Sequence, residues 1–194
     1  MRPEIERRIV LSELRSEPEK DGKKKKLKGY AARFNVVSDD LGGFREVIMP
    51  GAFDRAIKEE HDVRALWNHN SDMVLGRTKS GTLSLSVDDE GLQIEIDPPD
   101  TQAGRDAMTV VERGDVDQMS FAFRTITDNW RTEEKEVIRE LVDLELLDIS
   151  PVAYPAYPQS SISARALDQA KAAAPAQDEA RMSLNRLRQR WNCS

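Results

Sequence analysis

Apolar and polar residues alternate with a period of two along most of the chain up to Val152, and that period predicts β-strands. The organising run is Met119-Ser120-Phe121-Ala122-Phe123. Met119, Phe121, Phe123 and Thr125 share one face, and Ser120, Ala122 and Arg124 share the other. The aromatic face is the natural core face, so Ser120 points away from the core. Shorter strands are expected at 8–11, 27–34 and 44–48. Over 62–68 Val63, Ala65 and Trp67 lie on one face, with His69 in phase beyond them. Leu83, Leu85 and Val87, then Leu92, Ile94 and Ile96, alternate with polar residues on either side of Asp88-Asp89-Glu90-Gly91, a hairpin signal. A long β-prone stretch covers 137–152.

The period changes twice. Pro50 opens a short helix with Ala52, Phe53, Ala56 and Ile57 as its apolar stripe and His61 at its end. Pro98-Pro99-Asp100-Thr101 stops a strand and caps a second helix. Ala103, Ala107, Met108, Val110 and Val111 give that helix an apolar face, and Gly114 ends it. Residues 16–26, which end in Lys23-Lys24-Lys25-Lys26, read as a solvated loop. So do 36–43, a turn at Ser71-Asp72, and a polar turn over 127–136 with an exposed Trp130. Many strands with two inserted helices predict an α+β domain: a strand-rich antiparallel β-barrel with surrounding helices. That domain spans 1–162. An Ala-rich linker follows over 163–177. Residues 178–194 form an amphipathic tail helix with Ala180, Leu184, Leu187 and Trp191 at helical spacing and Arg181, Arg186, Arg188 and Arg190 beside them.

Composition narrows the function. The chain has 194 residues, of which 33% are charged, and a net charge of −6, which is no footprint for a nucleic-acid binder. No apolar run approaches the ~20 residues of a membrane helix, and the first residues lack the apolar stretch of a secretory leader. The chain reads as cytosolic. One cysteine, Cys193, leaves no internal disulfide. Two histidines, His61 and His69, lack metal-site spacing, so no metal and no cofactor are expected.

A serine hydroxyl becomes a useful nucleophile only beside a base that takes its proton, and that base needs a third group to orient it. Ser120, a histidine and a carboxylate are available on three separate strand-like segments. His69, in a polar Asn-His-Asn turn at a strand end, is a better base than His61, which follows Lys58-Glu59-Glu60 at a solvated helix end. Asp143, Glu145 and Asp148 are the acidic candidates. Asp148 stands out because Leu146, Leu147 and Ile149 surround it, and a buried carboxylate needs a partner. Each residue taken alone is an ordinary strand or turn residue.

Six stretches, in order, carry a resemblance: Gly29-Tyr30-Ala31-Ala32-Arg33-Phe34-Asn35, Phe44-Arg45-Glu46-Val47-Ile48-Met49-Pro50-Gly51-Ala52-Phe53, Leu66-Trp67-Asn68-His69, Val74-Leu75-Gly76-Arg77-Thr78, Gln118-Met119-Ser120-Phe121-Ala122-Phe123, and Asp148-Ile149-Ser150-Pro151-Val152-Ala153-Tyr154-Pro155-Ala156-Tyr157-Pro158. In these, over about 27–160, the chain resembles the prohead (capsid maturation) serine proteases of tailed bacteriophages. The resemblance implies a barrel similar to that of the herpesvirus assembly proteases. It implies a serine endopeptidase that cleaves capsid and scaffold proteins, and itself, inside the immature capsid in the bacterial host cytoplasm. Its partners would be the major capsid protein with its scaffold segment, and a second copy of the chain; membrane and nucleic acid are not implied. Ser120 falls on the nucleophile and His69 on the general base. Asp148 falls on the orienting acid, where such proteins usually carry Glu before Val-Ser, and Glu145 is the reserve. The competing reading is an inactive scaffold or assembly protein of the same fold.

Overall fold

The computed structural model describes residues 3–11, 14–18, 25–134 and 136–153. The linker and tail helix expected after residue 162 lie outside these. In order the elements are β1 (Glu6–Leu11), β2 (Arg15–Pro18), β3 (Lys25–Arg33), β4 (Arg45–Ile48), α1 (Asp54–Lys58), β5 (Arg64–Trp67), β6 (Asn70–Arg77), a 3₁₀ turn (Thr78–Ser80), β7 (Leu83–Val87), β8 (Gly91–Ile96), α2 (Gln102–Glu112), β9 (Gln118–Glu133) and β10 (Glu136–Val152).

The strands make two sheets. One runs β1-β9-β10-β5-β6, with β4 also beside β10; the other runs β2-β3-β8-β7. β9 and β10 form a long antiparallel hairpin. The far side of β10 takes β4 in parallel at Ile138 to Leu141 and β5 in parallel at Asp148 and Ile149. The expected α+β barrel with surrounding helices is not what forms. Strands take up 56% of the structure and helices 14%, and both sheets are open. Among the described residues no ladder joins β1 or β6 to another strand and closes the first sheet. An alternating pattern states only that one face of each strand is buried. A sandwich and a barrel satisfy that equally, and edge pairing is a separate, non-local choice.

The buried faces meet between the sheets. Met119, Phe121 and Phe123 of β9 and Leu144, Leu146 and Ile149 of β10 pack with Leu27 and Ala31 of β3 and Leu92, Ile94 and Ile96 of β8. Phe121 stacks on Phe123 at 5.1 Å and meets the Phe53 ring edge-on at 6.0 Å. Each of these large side chains contributes about 1.5–3 kcal/mol by leaving water. The core on one face of β9 therefore holds the strand whose other face carries Ser120. Gly76 of β6 belongs to the same economy of space: a Cβ there would lie 2.6 Å from the Thr82 carbonyl oxygen.

Local chemistry sets the helices. Thr101 Oγ1 accepts the Gly104 N–H at 3.2 Å to cap α2, and Gly114 follows it at φ +77°. α1 is a short turn of helix that begins at Asp54, after the Pro50-Gly51 turn. Three polar stretches differ from expectation. Residues 15–18 pair with β3, and Ser71-Asp72 lie inside β6. Residues 127–133 continue β9, paired with β10 throughout. Trp130 is only half-exposed, because its ring packs on Phe44 at 5.1 Å and under the Arg139 guanidinium at 5.6 Å.

A buried ionic cluster ties four strands of the first sheet together. Arg139 of β10 donates to Glu6 of β1 at 2.6 and 3.1 Å, to Asp128 of β9 at 2.7 Å and to Glu46 of β4 at 3.2 Å. Arg8 donates to Glu46 at 2.6 and 2.8 Å and to Glu6 at 2.8 Å. Burial pushes the Glu6 carboxyl up, but the hydrogen bonds and charge of Arg139, with Arg8 and Thr125, outweigh it and hold Glu6 below the usual glutamate value.

Candidate active site

Ser120 sits on β9 between β1 and β10, in register with Ile9 on one side and Ser150 on the other. It is buried, with the aromatic face of β9 behind it. A side chain on a central strand held by two ladders has little freedom to move, which suits a group that must react in one geometry.

His69 arrives by a different route. Trp67 of β5 pairs with Asn70 of β6, so Asn68 and His69 form a two-residue hairpin turn. Both have positive φ, +50° and +57°, as a type I′ turn requires. Asn and His tolerate the left-handed region better than most residues, at some cost in strain. The turn is pinned to the end of β10. Asn68 N–H donates to the Pro151 carbonyl at 3.1 Å, and Asn68 Oδ1 accepts the Ala153 N–H at 3.1 Å. This pinning follows from the parallel pairing of β5 with β10, which brings the end of β5 to the end of β10.

Asp148 enters from β10. The β9–β10 register shifts between Leu146 and Asp148, and beyond this irregularity Asp148 lies opposite Ala122, on the Ser120 face. Three side chains meet there. Asp148 Oδ1 is 2.5 Å from His69 Nδ1, and His69 Nε2 is 2.6 Å from Ser120 Oγ. The imidazole and the carboxylate are each 15% exposed, so the contact is largely shielded from water yet has an open edge. A carboxylate only accepts, so Nδ1 carries the hydrogen and donates to Asp148. Nε2 is then free to accept the Ser120 hydroxyl proton. Such an arrangement can generate a serine nucleophile.

The other sequence candidates lie elsewhere. Glu145 Oε2 accepts from Arg124 at 3.0 Å, and Asp143 accepts from Arg55 at 3.0 and 3.1 Å. His61 lies at the end of α1, with Nε2 3.4 Å from Glu59 and 3.5 Å from Arg55. A cavity of about 420 Å³ opens beside His61, between α1, Thr78 and Leu85, and none of Ser120, His69 and Asp148 lines it. Among the described residues no three His, Cys, Asp or Glu side chains converge as a metal would need. Two residues at the site escaped the sequence reading, Asn68 and Ser150. Ser150 had a usable signal: it stands two positions beyond Asp148 in an alternating strand, and so shares its face.

A family model described as caudovirus prohead serine protease matches residues 12–174. No curated protein and no solved structure matches the chain.

Proposed function

Because the chain belongs to the caudovirus prohead serine protease family, we propose that Ser120, His69 and Asp148 are the catalytic residues of an endopeptidase that cuts the major capsid protein and its scaffold segment, and itself. Membership gives a serine peptidase with a role in capsid maturation. The observation that carries the finer reading is the continuous chain from Asp148 through His69 to Ser120, at 2.5 and 2.6 Å.

Ser120 Oγ adds to the carbonyl carbon of the scissile bond while its proton passes to His69 Nε2. The imidazolium that forms is held by its Nδ1–H bond to the Asp148 carboxylate. Nε2 then returns the proton to the leaving amine as the C–N bond breaks, which leaves an acyl ester on Ser120. A water molecule, deprotonated by the same nitrogen, hydrolyses the ester and restores the serine. The reaction takes place within the immature capsid in the host cell, and the Ala-rich stretch 166–176 is the proposed self-cleavage region.

Co-expression with the capsid precursor tests this. The wild type should process the precursor and shorten its own C-terminal end by intact mass. Ser120→Ala should do neither, with a loss of at least about 10³-fold. Normal processing by Ser120→Ala refutes the assignment. Absence of processing by the wild type favours an inactive assembly protein of the same family.

A further inference from the structure

We infer that Ser150 is a positioning residue for this site, a hydroxyl that locks the general base and its carboxylate into one geometry; the inference rests on the Ser120–His69–Asp148 reading. Ser150 is fully buried on β10, opposite Ser120 in the ladder and two residues after Asp148. Its Oγ lies 3.2 Å from the His69 backbone nitrogen, 3.2 Å from Asp148 Oδ1 and 3.3 Å from His69 Nδ1.

Each group's capacity to donate or accept fixes its role. The His69 backbone N–H can only donate, so Ser150 Oγ accepts from it. The Asp148 carboxylate can only accept, so the one hydroxyl hydrogen of Ser150 goes to Oδ1. Nδ1–H is directed at Asp148 at 2.5 Å, and its longer approach to Ser150 Oγ is secondary. Ser150 therefore bridges the main chain of the base and the carboxylate that orients the base's ring. Asp148 Oδ1 in turn receives two hydrogens from two directions, which fixes its rotamer.

That bridge matters because of where His69 sits. His69 and Asn68 both occupy the left-handed region, which persists in residues other than glycine only where surrounding contacts over-determine it. Asn68 supplies two of those contacts, through its own backbone and side chain. The hydrogen bond that Ser150 accepts acts on the main chain of His69 itself. Without the hydroxyl, the His69 N–H loses its acceptor and Asp148 loses one of its two donors. The imidazole is then free to drift from the 2.6 Å contact with Ser120. A misplacement of about 1 Å at a reacting group costs on the order of 10² in rate. Ser150 is fully buried and bonds to the His69 main chain and to Asp148 rather than to Ser120 Oγ or His69 Nε2, so its loss should fall on the chemical step rather than on binding.

The test uses the full chain and a fluorophosphonate that labels active serines, with the labelled site mapped by peptide mass. Four variants separate hydroxyl from shape: Ser150→Ala, Ser150→Thr, Ser150→Val and Ser120→Ala. The wild type should label at Ser120 and Ser120→Ala should not. Ser150→Ala should label at Ser120 with a maximal rate at least about 10-fold lower, an unchanged half-saturating concentration and a melting temperature lowered by only a few degrees, the cost of one unsatisfied N–H. Ser150→Thr, which keeps the hydroxyl, should label at least about 10-fold faster than Ser150→Val, which has the same shape without it. Wild-type rates in Ser150→Ala, or equal rates in the Thr and Val variants, overturn the role of Ser150 and leave the triad standing. Failure of both hydroxyl-free variants to fold assigns the hydroxyl to stability and also overturns it. If the wild type does not label at Ser120, the triad reading itself fails and Ser150 falls with it.

Discussion

Asp148→Asn removes one charge and almost no volume, which makes it the sharpest probe of the site. In the native arrangement Asp148 Oδ1 accepts Nδ1–H at 2.5 Å and leaves Nε2 unprotonated toward Ser120. Asparagine offers two alternatives, and both are damaging. If its NH₂ faces Nδ1, the ring must move its hydrogen to Nε2, where it can no longer take the serine proton. If its carbonyl faces Nδ1, the tautomer survives but the imidazolium formed in the reaction has no counter-charge. At a separation of about 4 Å and an effective dielectric constant of about 20, that counter-charge is worth roughly 4 kcal/mol. At about 1.4 kcal/mol per decade, this is on the order of 10³ in rate. Forced tautomer change in a Ser-His-Asp triad costs about 10⁴. The expected loss in kcat/KM on a peptide spanning a capsid cleavage junction is thus about 10³- to 10⁴-fold, with an unchanged melting temperature because the shape is kept. Glu145→Gln, which disturbs only the pair with Arg124, should stay within about threefold of wild type. A loss below 10-fold in Asp148→Asn, or an equal loss in Glu145→Gln, refutes the reasoning.

Three further outcomes are expected. His69→Ala should lose at least about 10³-fold in peptide cleavage and His61→Ala less than about threefold, since His61 sits beside Glu59 and Arg55 and away from Ser120; equal losses would remove the distinction. Arg139→Met should cost about 3–5 kcal/mol in urea unfolding, because Glu6 and Glu46 stay buried with Arg8 as their remaining cationic partner; a cost below about 1 kcal/mol would show that the cluster relaxes. Glu6 is held below its ordinary value in the folded protein, against burial, chiefly by Arg139. A folded value below the unfolded one means its contribution is complete above the unfolded value, about 4.3, and is lost as pH falls through the lower folded value. The wild-type urea midpoint should therefore fall more steeply below about pH 4.3 than that of Glu6→Gln, and parallel curves would contradict this.

Much of the fold was legible in local pattern. Alternation placed Phe121 and Phe123 in the core and turned Ser120 away from it. Asp88 to Gly91 marked a hairpin, and Thr101 and Gly114 bounded α2. The polar run 127–133 was misread because a strand whose side chains are polar on both faces shows no alternation. Its place in β9 comes from the backbone ladder with β10, to which composition is blind. The arginines and glutamates of β1, β4 and β10 carry no local signal of burial, for a similar reason. Only the packing of four strands around Arg139 buries them as a cluster.

The candidate site divides along the same line. By itself the sequence determined which side chains were chemically suitable and turned Ser120 off the aromatic face of its strand, because both depend on residue type and a two-residue period. It did not orient His69, which lies in a turn, or Asp148, which follows a register shift. Tertiary structure decided the rest. The Asn68-His69 turn adopts its left-handed geometry where β5 runs parallel to β10 and ends against Pro151. The register shift before Asp148 places a short carboxylate within reach of His69, and the ladder sets Ser150 beside Ser120. It also left both sheets open where a barrel had been expected. Register, closure and the meeting of residues 51 and 79 positions apart depend on which strands pair, and pairing is chosen by the whole packed chain rather than by any segment of it.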